Sequence, residues 1–532
     1  MSVGTATVAP EESAGDQRLA VLLAMAMFVL VVDTSIMNVS ISAVVHDIGA
    51  TVSGVQSAIA LEALVSAAFI LLGSKVADLI GRKRAYALGL LGYAIGALAM
   101  TLTQTLLPII IFWAIIGGLG ASLLLPSMQA LIHGNFQGAF QRRVYAMVGA
   151  SAAIAAAIGP LVGGFITTFL SWRLAFLGEA IIIGVVLSGL RLIRDVPYTG
   201  DRSIDVVGGV LSIFGMGGIV LGILAWQEGG ESVLLLLAVG AVGLGSFAWW
   251  LVSRKRQGKT SLIDPDLFKS VVFRHGITGQ MLQQIALGGT MIVLPIYLQM
   301  VFEYTALQSG LSIAPLSLSM FAIALLAGRR AGNRRPSVII RAGFLLLLIG
   351  LGLLVPIVPR ADNGLWMTIP LLIAGSGLGL MVSQLNNYTL APISEERVSE
   401  AAGVNSAAGS FGLSFGLAVA GAVMLATLAF SFTSQANAST VLTADQQQQV
   451  ATTLEHDAQV MSDTQLQEML ATESEATQAE VLRINEDARH LALQIALLIP
   501  ILAAALGLAN AFRMVRIPEP KPSAAAEMMI GG

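Results

Sequence analysis

Gly73-Ser74-Lys75-Val76-Ala77-Asp78-Leu79-Ile80-Gly81-Arg82-Lys83-Arg84 is a short charged break between two long apolar runs. Its glycines permit a tight turn. Asp78 and Arg82 stand four apart, so on a helical turn they can pair, and Asp78 is also placed to cap the N-terminus of a facing helix. A basic turn between two apolar runs of about 20 residues is the loop of a hairpin that crosses a membrane twice.

The rest of the chain repeats that pattern. Of 532 residues, 55% are hydrophobic and 11% charged, with mean hydropathy +0.80. A soluble protein carries about 25% charged residues, and no soluble fold of this length hides so much apolar surface. A cytosolic enzyme, a nucleic-acid partner and a disordered chain are therefore excluded. The chain has no cysteine, so it has no disulfide, thiol nucleophile or cysteine metal site. Five histidines, at 46, 133, 275, 456 and 490, form no ligand-spaced pair. No metal or organic cofactor is expected.

A ruler of about 20 apolar residues yields fourteen spans, near 19–42, 53–73, 85–104, 107–130, 143–168, 173–193, 205–226, 233–252, 273–301, 308–328, 338–358, 364–388, 402–432 and 490–513. The polar N-terminus lacks the basic start and cleavage site of a secretory signal, so the first span is expected to remain as an anchor. Alternate loops hold 25 of the 29 Lys and Arg residues; Arg173, Arg360, Arg483 and Arg489 fall on the other side. By the positive-inside rule both termini are expected in the cytoplasm. The expectation is an all-α, multi-pass protein of the plasma membrane (the inner membrane, for a bacterium). Residues 1–18 and 514–532 would be cytoplasmic tails and 256–272 a basic cytoplasmic linker. Residues 433–488 would form a long external loop with ten acidic residues, one arginine and the run Gln446–Gln449. Val450, Leu454, Met461 and Met469 give that loop a weak helical stripe, as expected of a solvated hairpin or partly helical cap; an acidic lid that gathers substrate is the sharper alternative.

Three acids lie inside spans: Asp33, Glu62 and Glu179. A central Asp costs about 2.5 to 3.5 kcal/mol on insertion scales, so an intramembrane acid faces the protein interior and is a functional candidate. Asp33 lies about 21 Å and Glu62 about 16 Å from the inner ends of their helices, by the helical rise, which is similar depth. Buried, neighbouring carboxyls retain protons to higher pH than free ones. Such a group can exchange a proton or neutralise a cationic substrate, and competition between the two at one site is the minimal physics of an antiporter. The structural alternative is that the acids only hydrogen-bond helices together. No Lys or Arg lies deep in any span to pair with them.

The 73–84 loop resembles the signature G-x-x-x-D-x-x-G-R-[KR]-[KR] loop of the major facilitator superfamily, with Gly73, Asp78, Gly81 and Arg82 in place; in that family the loop latches the two halves of the transporter. In span five, Gly159-Pro160-Leu-Val-Gly163-Gly164 resembles the G-P-x-x-G-G antiporter motif. Proline frees a carbonyl and bends a helix; glycines allow close helix contact. Val32-Asp33-Thr34-Ser-Ile-Met-Asn38-Val resembles the first-helix D-x-T-x-x-N-V pattern of the drug/proton antiporters with fourteen helices. Leu294-Pro295-Ile-Tyr297-Leu-Gln299, then Ser309-Gly310 and Ala314-Pro315, resembles their ninth and tenth helices, and Leu262-Ile263-Asp264 with Leu267-Phe268 the preceding linker. The resemblance runs from about residue 20 to 420. It implies two six-helix bundles, 19–200 and 273–513, the second including the external loop, with two inserted helices within 201–255.

The chain departs from that pattern in three places. The family's span-four R-x-x-Q-G-x-G-A is here Ala114-Ile-Ile-Gly117-Gly118-Leu-Gly120-Ala121, so the arginine thought to tune membrane acids is missing. Glu179, after Trp172-Arg173, stands where the family has an uncharged Asn, and Glu62 stands among uncharged positions. Gln280, Gln283 and Gln284 fall on one helical face and, with Gln384, Asn386, Asn387 and Asn405, would line a neutral polar cavity or bond between helices. Asn38 joins the candidates for that cavity. Phe28, Trp113, Tyr297 and Phe415 would stack on a flat cation or face lipid.

The leading expectation is a proton-coupled multidrug exporter, not an enzyme, that moves amphipathic cationic compounds by alternating access. Its partners would be small-molecule substrates and membrane lipids, its state a monomer, and its only coupling species the proton. The alternative is an exporter of a lipid, siderophore, amino acid or other metabolite, because fold does not fix substrate.

Overall fold

The computed structural model describes residues 17–136, 138–195, 205–227, 232–330, 335–393, 397–448, 466–468, 470–471 and 473–518. Among them there is no strand, and 14 helices are long and apolar enough to cross a membrane. They are α1 (Gln17–Ile48), α2 (Val52–Ile80), α3 (Arg82–Leu102), α4, α5 (Gly138–Phe169), α6 (Trp172–Ser188), α7 (Val206–Gln227), α8 (Val233–Arg256), α9 (Val271–Val301), α10 (Ala306–Arg330), α11 (Pro336–Ile357), α12 (Thr368–Leu390), α13 (Val398–Ala438) and α14 (Glu475–Arg516). Helix α4 joins Leu106–Pro108 to Gly118–Asn135 through a π-helical segment, Ile109–Gly117.

Each apolar run of the sequence becomes one helix, because a backbone in hydrocarbon must satisfy its own hydrogen bonds. Helix α1 packs on α5 and α6, α2 on α4, and α3 on α4 and α6. In the second half α9 packs on α12, α13 and α14, α10 on α12, and α11 on α12 and α14. The halves meet where α2 lies along α13 and α5 along α10. Helices α7 and α8 pair with each other, and α7 rests on both α2 and α13, spanning the seam. Buried Asp205 fixes that pair: it accepts from Gly208 N at the start of α7, from Trp250 Nε1 of α8 and from Leu262 N of the linker.

The apolar core is divided unequally. One continuous cluster runs through α1, α2, α9 and α11–α14, joining both halves. Near the end that carries Asp78 and Arg82, the first half keeps a separate cluster built on Leu23, Tyr86, Leu124 and Phe136. At that same end Gly81 turns the chain from α2 into α3 with φ 97°, a region L side chains rarely adopt. Asp195, beyond α6, caps the start of α3 by accepting from Lys83 N at 3.0 Å, and Lys83 Nζ donates to the Ile193 carbonyl.

Two helices are about twice as long as the membrane ruler. Helices α13 and α14 have 41 and 42 residues, about 60 Å at the helical rise, and pack together. Helix α14 starts fifteen residues before the apolar run that the ruler detects at 490. Ser474 caps it by accepting from Thr477 N, and Val481, Ile484 and Ala488 are buried on one stripe. Polar Glu480, Arg483, Glu486 and Asp487 between them hide that stripe from a hydropathy average. The expected external loop therefore includes the ends of two helices. The proposed stripe residues Val450, Leu454, Met461 and Met469 lie outside the described residues, as do most of the two tails.

Candidate functional site

Asp33 sits mid-way along α1, 1% exposed. A carboxyl so placed needs donors, and two helices supply them. Tyr93 of α3 donates its hydroxyl to Oδ2 at 2.6 Å, and Trp113 of α4 donates its indole N–H to both oxygens at 3.0 Å. Trp113 lies within the π-helical segment, where one extra residue per turn redirects side chains. Its ring meets Phe176 of α6 edge-on, which holds the indole in place.

Helix α6 brings a second carboxyl to the same point. Glu179 is 3% exposed and faces Asp33, yet neither of its oxygens makes a hydrogen bond of ordinary geometry. Glu62 of α2 is also buried, close enough to Asp33 for the charges to repel. Tyr93 lies within reach of all three acids. Four elements besides α1 thus surround one buried point with three carboxyls and two neutral donors.

The glycine motif of α5 packs directly beside this point. A Cβ on Gly159 would stand 2.6 Å from that of Ser35, and one on Gly163 would stand 2.9 Å from Ile36 Cγ1, both on the turn after Asp33. The opposite side of the motif meets α10. A Cβ on Gly164 would lie 2.6 Å from the Ala306 carbonyl oxygen, and the Pro160 carbonyl abuts Gly310. Only glycine lets three helices approach this closely.

Polar bridges between the halves gather at the end opposite Asp78. Gln299 of α9 donates to the Val39 carbonyl at 3.0 Å and accepts from Ser42 N at 3.2 Å. Leu307 N of α10 donates to Thr168 Oγ1 of α5. Arg173, paired with Asp47 and donating to the Thr103 carbonyl, ties α6 to α1 and α3 at the same end.

A family model, Major Facilitator Superfamily, matches residues 23–417. The chain belongs to the major facilitator superfamily. Like its family, this major facilitator is a transporter and not an enzyme, and it is a multi-pass membrane protein. It is 30% identical over 418 residues to the puromycin resistance protein pur8 of Streptomyces alboniger, covering 75% of this chain and 80% of that one. It is 27% identical over 379 residues to the quinolone resistance protein NorB of Staphylococcus aureus, covering 69% and 80%. Its fold is that of a bacterial homolog to the human lysosomal transporter Spinster, solved inward-facing and unoccupied (TM-score 0.63, 11% identity, covering 95% of this chain and 98% of that one). It also matches a proton dependent oligopeptide transporter (TM-score 0.56, 14% identity, 94% and 99%).

The signature loop of this major facilitator has Asp78 and Arg82 paired at 3.3 Å, with Gly73 against the backbone of Ser122. Between this loop and α13 lies a cavity of about 280 Å³ lined by Lys75, Asp78, Arg82, Ser127 and Glu400. The amides of the second half are elsewhere. Gln283 and Gln384 are buried, Asn387 is half-buried, and Gln280 and Gln284 approach Gly409 of α13. Asn405 donates to Asn386 Oδ1. Buried Tyr297 turns its hydroxyl to the Val358 carbonyl and its ring to His490 and Phe302. Asn38 is buried with Oδ1 unpartnered. Among the described residues no hydrogen bond links these amides to the acids, and no group of His, Asp and Glu is arranged to hold a metal.

Residue types and spacing alone do not reveal Tyr93, or Trp113 as a partner of Asp33. A signal was present: Tyr86, Gly89, Tyr93 and Gly96 form one buried stripe, and a buried tyrosine hydroxyl usually finds a partner, as Tyr93 does and Tyr86 does not.

Proposed function

We propose that this transporter exports amphipathic, cationic compounds in exchange for protons, with Asp33, Glu62 and Glu179 as the site where the two compete. The observation that carries this reading is a buried point with three carboxyls and, among the described residues, no Lys, Arg or His beside it. A desolvated acid cluster of that kind favours a proton or a cation. The relatives named for puromycin and quinolone resistance support drug export. An anionic cargo would meet only repulsion at this point.

Residues 19–200 and 273–513 serve as the two bundles that rock about the site, with 201–255 inserted and 256–272 as linker. The basic loops, and with them both termini, face the cytoplasm. The contacts made by Gln299, Thr168 and Gly164 then lie at the outer end. One proton exchanged for one monovalent cation moves no net charge, so the pH gradient drives that cycle; each further proton would add about 2.3 kcal/mol per 100 mV.

Ethidium accumulation in efflux-deficient cells tests this. Wild type lowers accumulation, a protonophore abolishes the effect, and Asp33→Asn and Glu62→Gln lose it. Efflux that survives both substitutions would remove these acids from the mechanism.

A further inference from the structure

Resting on that antiport reading, we propose that Tyr93 and Trp113 hold Asp33 as the ionised member of the cluster, while the exchangeable proton is carried by Glu179. Tyr93 and Trp113 are positioning residues in this scheme.

The two carboxyls differ in what reaches them. Both oxygens of Asp33 receive donors: Tyr93 Oη at 2.6 Å on Oδ2, and Trp113 Nε1 at 3.0 Å on each. An indole N–H donates only, so the side of Asp33 that it meets must accept. Donors to a carboxylate make charge-assisted bonds, which are short and strong. Glu179, just as buried, has no such donor. An ionised carboxyl without donors is the costliest species in a dry interior, whereas a protonated one can turn its O–H toward Asp33. One proton on the pair, seated on Glu179, leaves neither group uncompensated.

Among the described residues no Lys, Arg or His faces the pair. The groups that face Asp33 are Glu62 from α2, Tyr93 from α3, Trp113 from α4 and Glu179 from α6. Helix α5 sets Gly159 and Gly163 against the turn after Asp33. Position 114 is alanine, and the neighbouring Trp113 of the π-helical segment supplies a neutral donor to Asp33. Hydrogen bonds to one carboxyl and their absence on the other divide two roles between chemically similar groups.

The step balances. The neutral Glu179 carboxylic acid loses its proton as a cation enters beside the Asp33 carboxylate: the O–H bond breaks, the proton leaves to the open face, and two carboxylates then share the cation. Return of a proton from the other side restores the O–H bond and expels the cation.

The test uses purified full-length protein in lipid nanodiscs with tetraphenylphosphonium as probe. Proton release on binding is read in unbuffered solution, and affinity is read against pH. Wild type is expected to release one proton per cation bound. Glu179→Gln should bind with no release and with affinity that is flat across the neutral range. Tyr93→Phe and Trp113→Phe should still release protons, but their binding midpoint should move to higher pH by about one unit, one charge-assisted bond's worth. Adding Tyr93→Phe to Glu179→Gln should restore pH dependence, because Asp33 then takes the proton; a merely structural role for Tyr93 produces no such rescue. Release by Glu179→Gln equal to wild type would overturn the proposal and leave antiport standing. Wild type that binds the probe without releasing a proton, or does not bind it, would overturn the antiport reading and this proposal with it.

Discussion

Gln299 and Val39 are joined across the two halves of the transporter, the amide Nε2 of α9 donating to a carbonyl oxygen of α1 at 3.0 Å. Val39 lies six residues beyond Asp33 on the same helix. This contact and the acid site therefore share one helix, and separation of α1 from α9 at the end opposite Asp78 requires this bond and the Ser42 N–Gln299 Oε1 bond to break.

Gln299→Leu removes both bonds while keeping the volume. Loss of these two hydrogen bonds shifts an equilibrium by roughly 1 to 3 kcal/mol, so the population open at this end should rise about 5- to 150-fold. Because the chain has no cysteine, spin labels at Ala50→Cys and Glu303→Cys report that opening cleanly. An unchanged distance distribution would show that the bridge does not hold the outer end closed.

Gly164→Ala places a methyl group against the Ala306 carbonyl and Leu307 Cα, both backbone atoms that cannot give way. Helices α5 and α10 must part at the end opposite Asp78. The same label pair should report opening, and export should fall at least tenfold. Gly178→Ala, whose Cβ would meet nothing within 4 Å, is the matched control and should behave as wild type.

The linker offers a pH-dependent contact outside the membrane. Lys269 and Lys255 hold Asp266 below its ordinary carboxyl range, chiefly through the Lys269 hydrogen bond. A depressed folded value stabilises the paired linker above the ordinary carboxyl range, and the effect is lost as pH falls through the lowered value. Protease cleavage of the linker should therefore rise only at acid pH, and high salt should mimic acid, because exposed pairs are screened. Asp266→Asn should remove the pH dependence; cleavage that still tracks pH in that variant would assign it to another group.

Helix α14 begins at Glu475, well before its apolar run, because Val481 and Ile484 are buried in the continuous apolar cluster. Ile484→Ala should lower stability by about 2 to 4 kcal/mol through the cavity it leaves, read as a drop in unfolding temperature of the purified protein. Arg483→Ala, at a half-exposed surface pair, should change it by less than about 1 kcal/mol.

How much of this was legible in the sequence follows from the range of each interaction. Fourteen spans were readable because hydrocarbon demands long apolar helices, and the Asp78–Arg82 pair was readable because it is local. The start of α14 was not, since its buried stripe is diluted by charged neighbours. The partners of Asp33 stand 60 and 80 residues away, and the π-helical segment that redirects Trp113 has no signature in Ile109-Ile110-Ile111-Phe112. Read by residue type, Trp113 is a cavity wall; in the structure its N–H is committed to a carboxylate. Asp195 and Asp205 cap helices by contacts that only the folded chain creates.

The most direct test of the central claim is proton movement driven by cargo. Inverted membrane vesicles containing the transporter are acidified inside, and ethidium is added to the outer solution. Proton–cation exchange predicts that lumenal pH rises as ethidium enters, and that Asp33→Asn vesicles show neither change. Ethidium entry with no proton leaving, in vesicles that hold their gradient, would contradict the account.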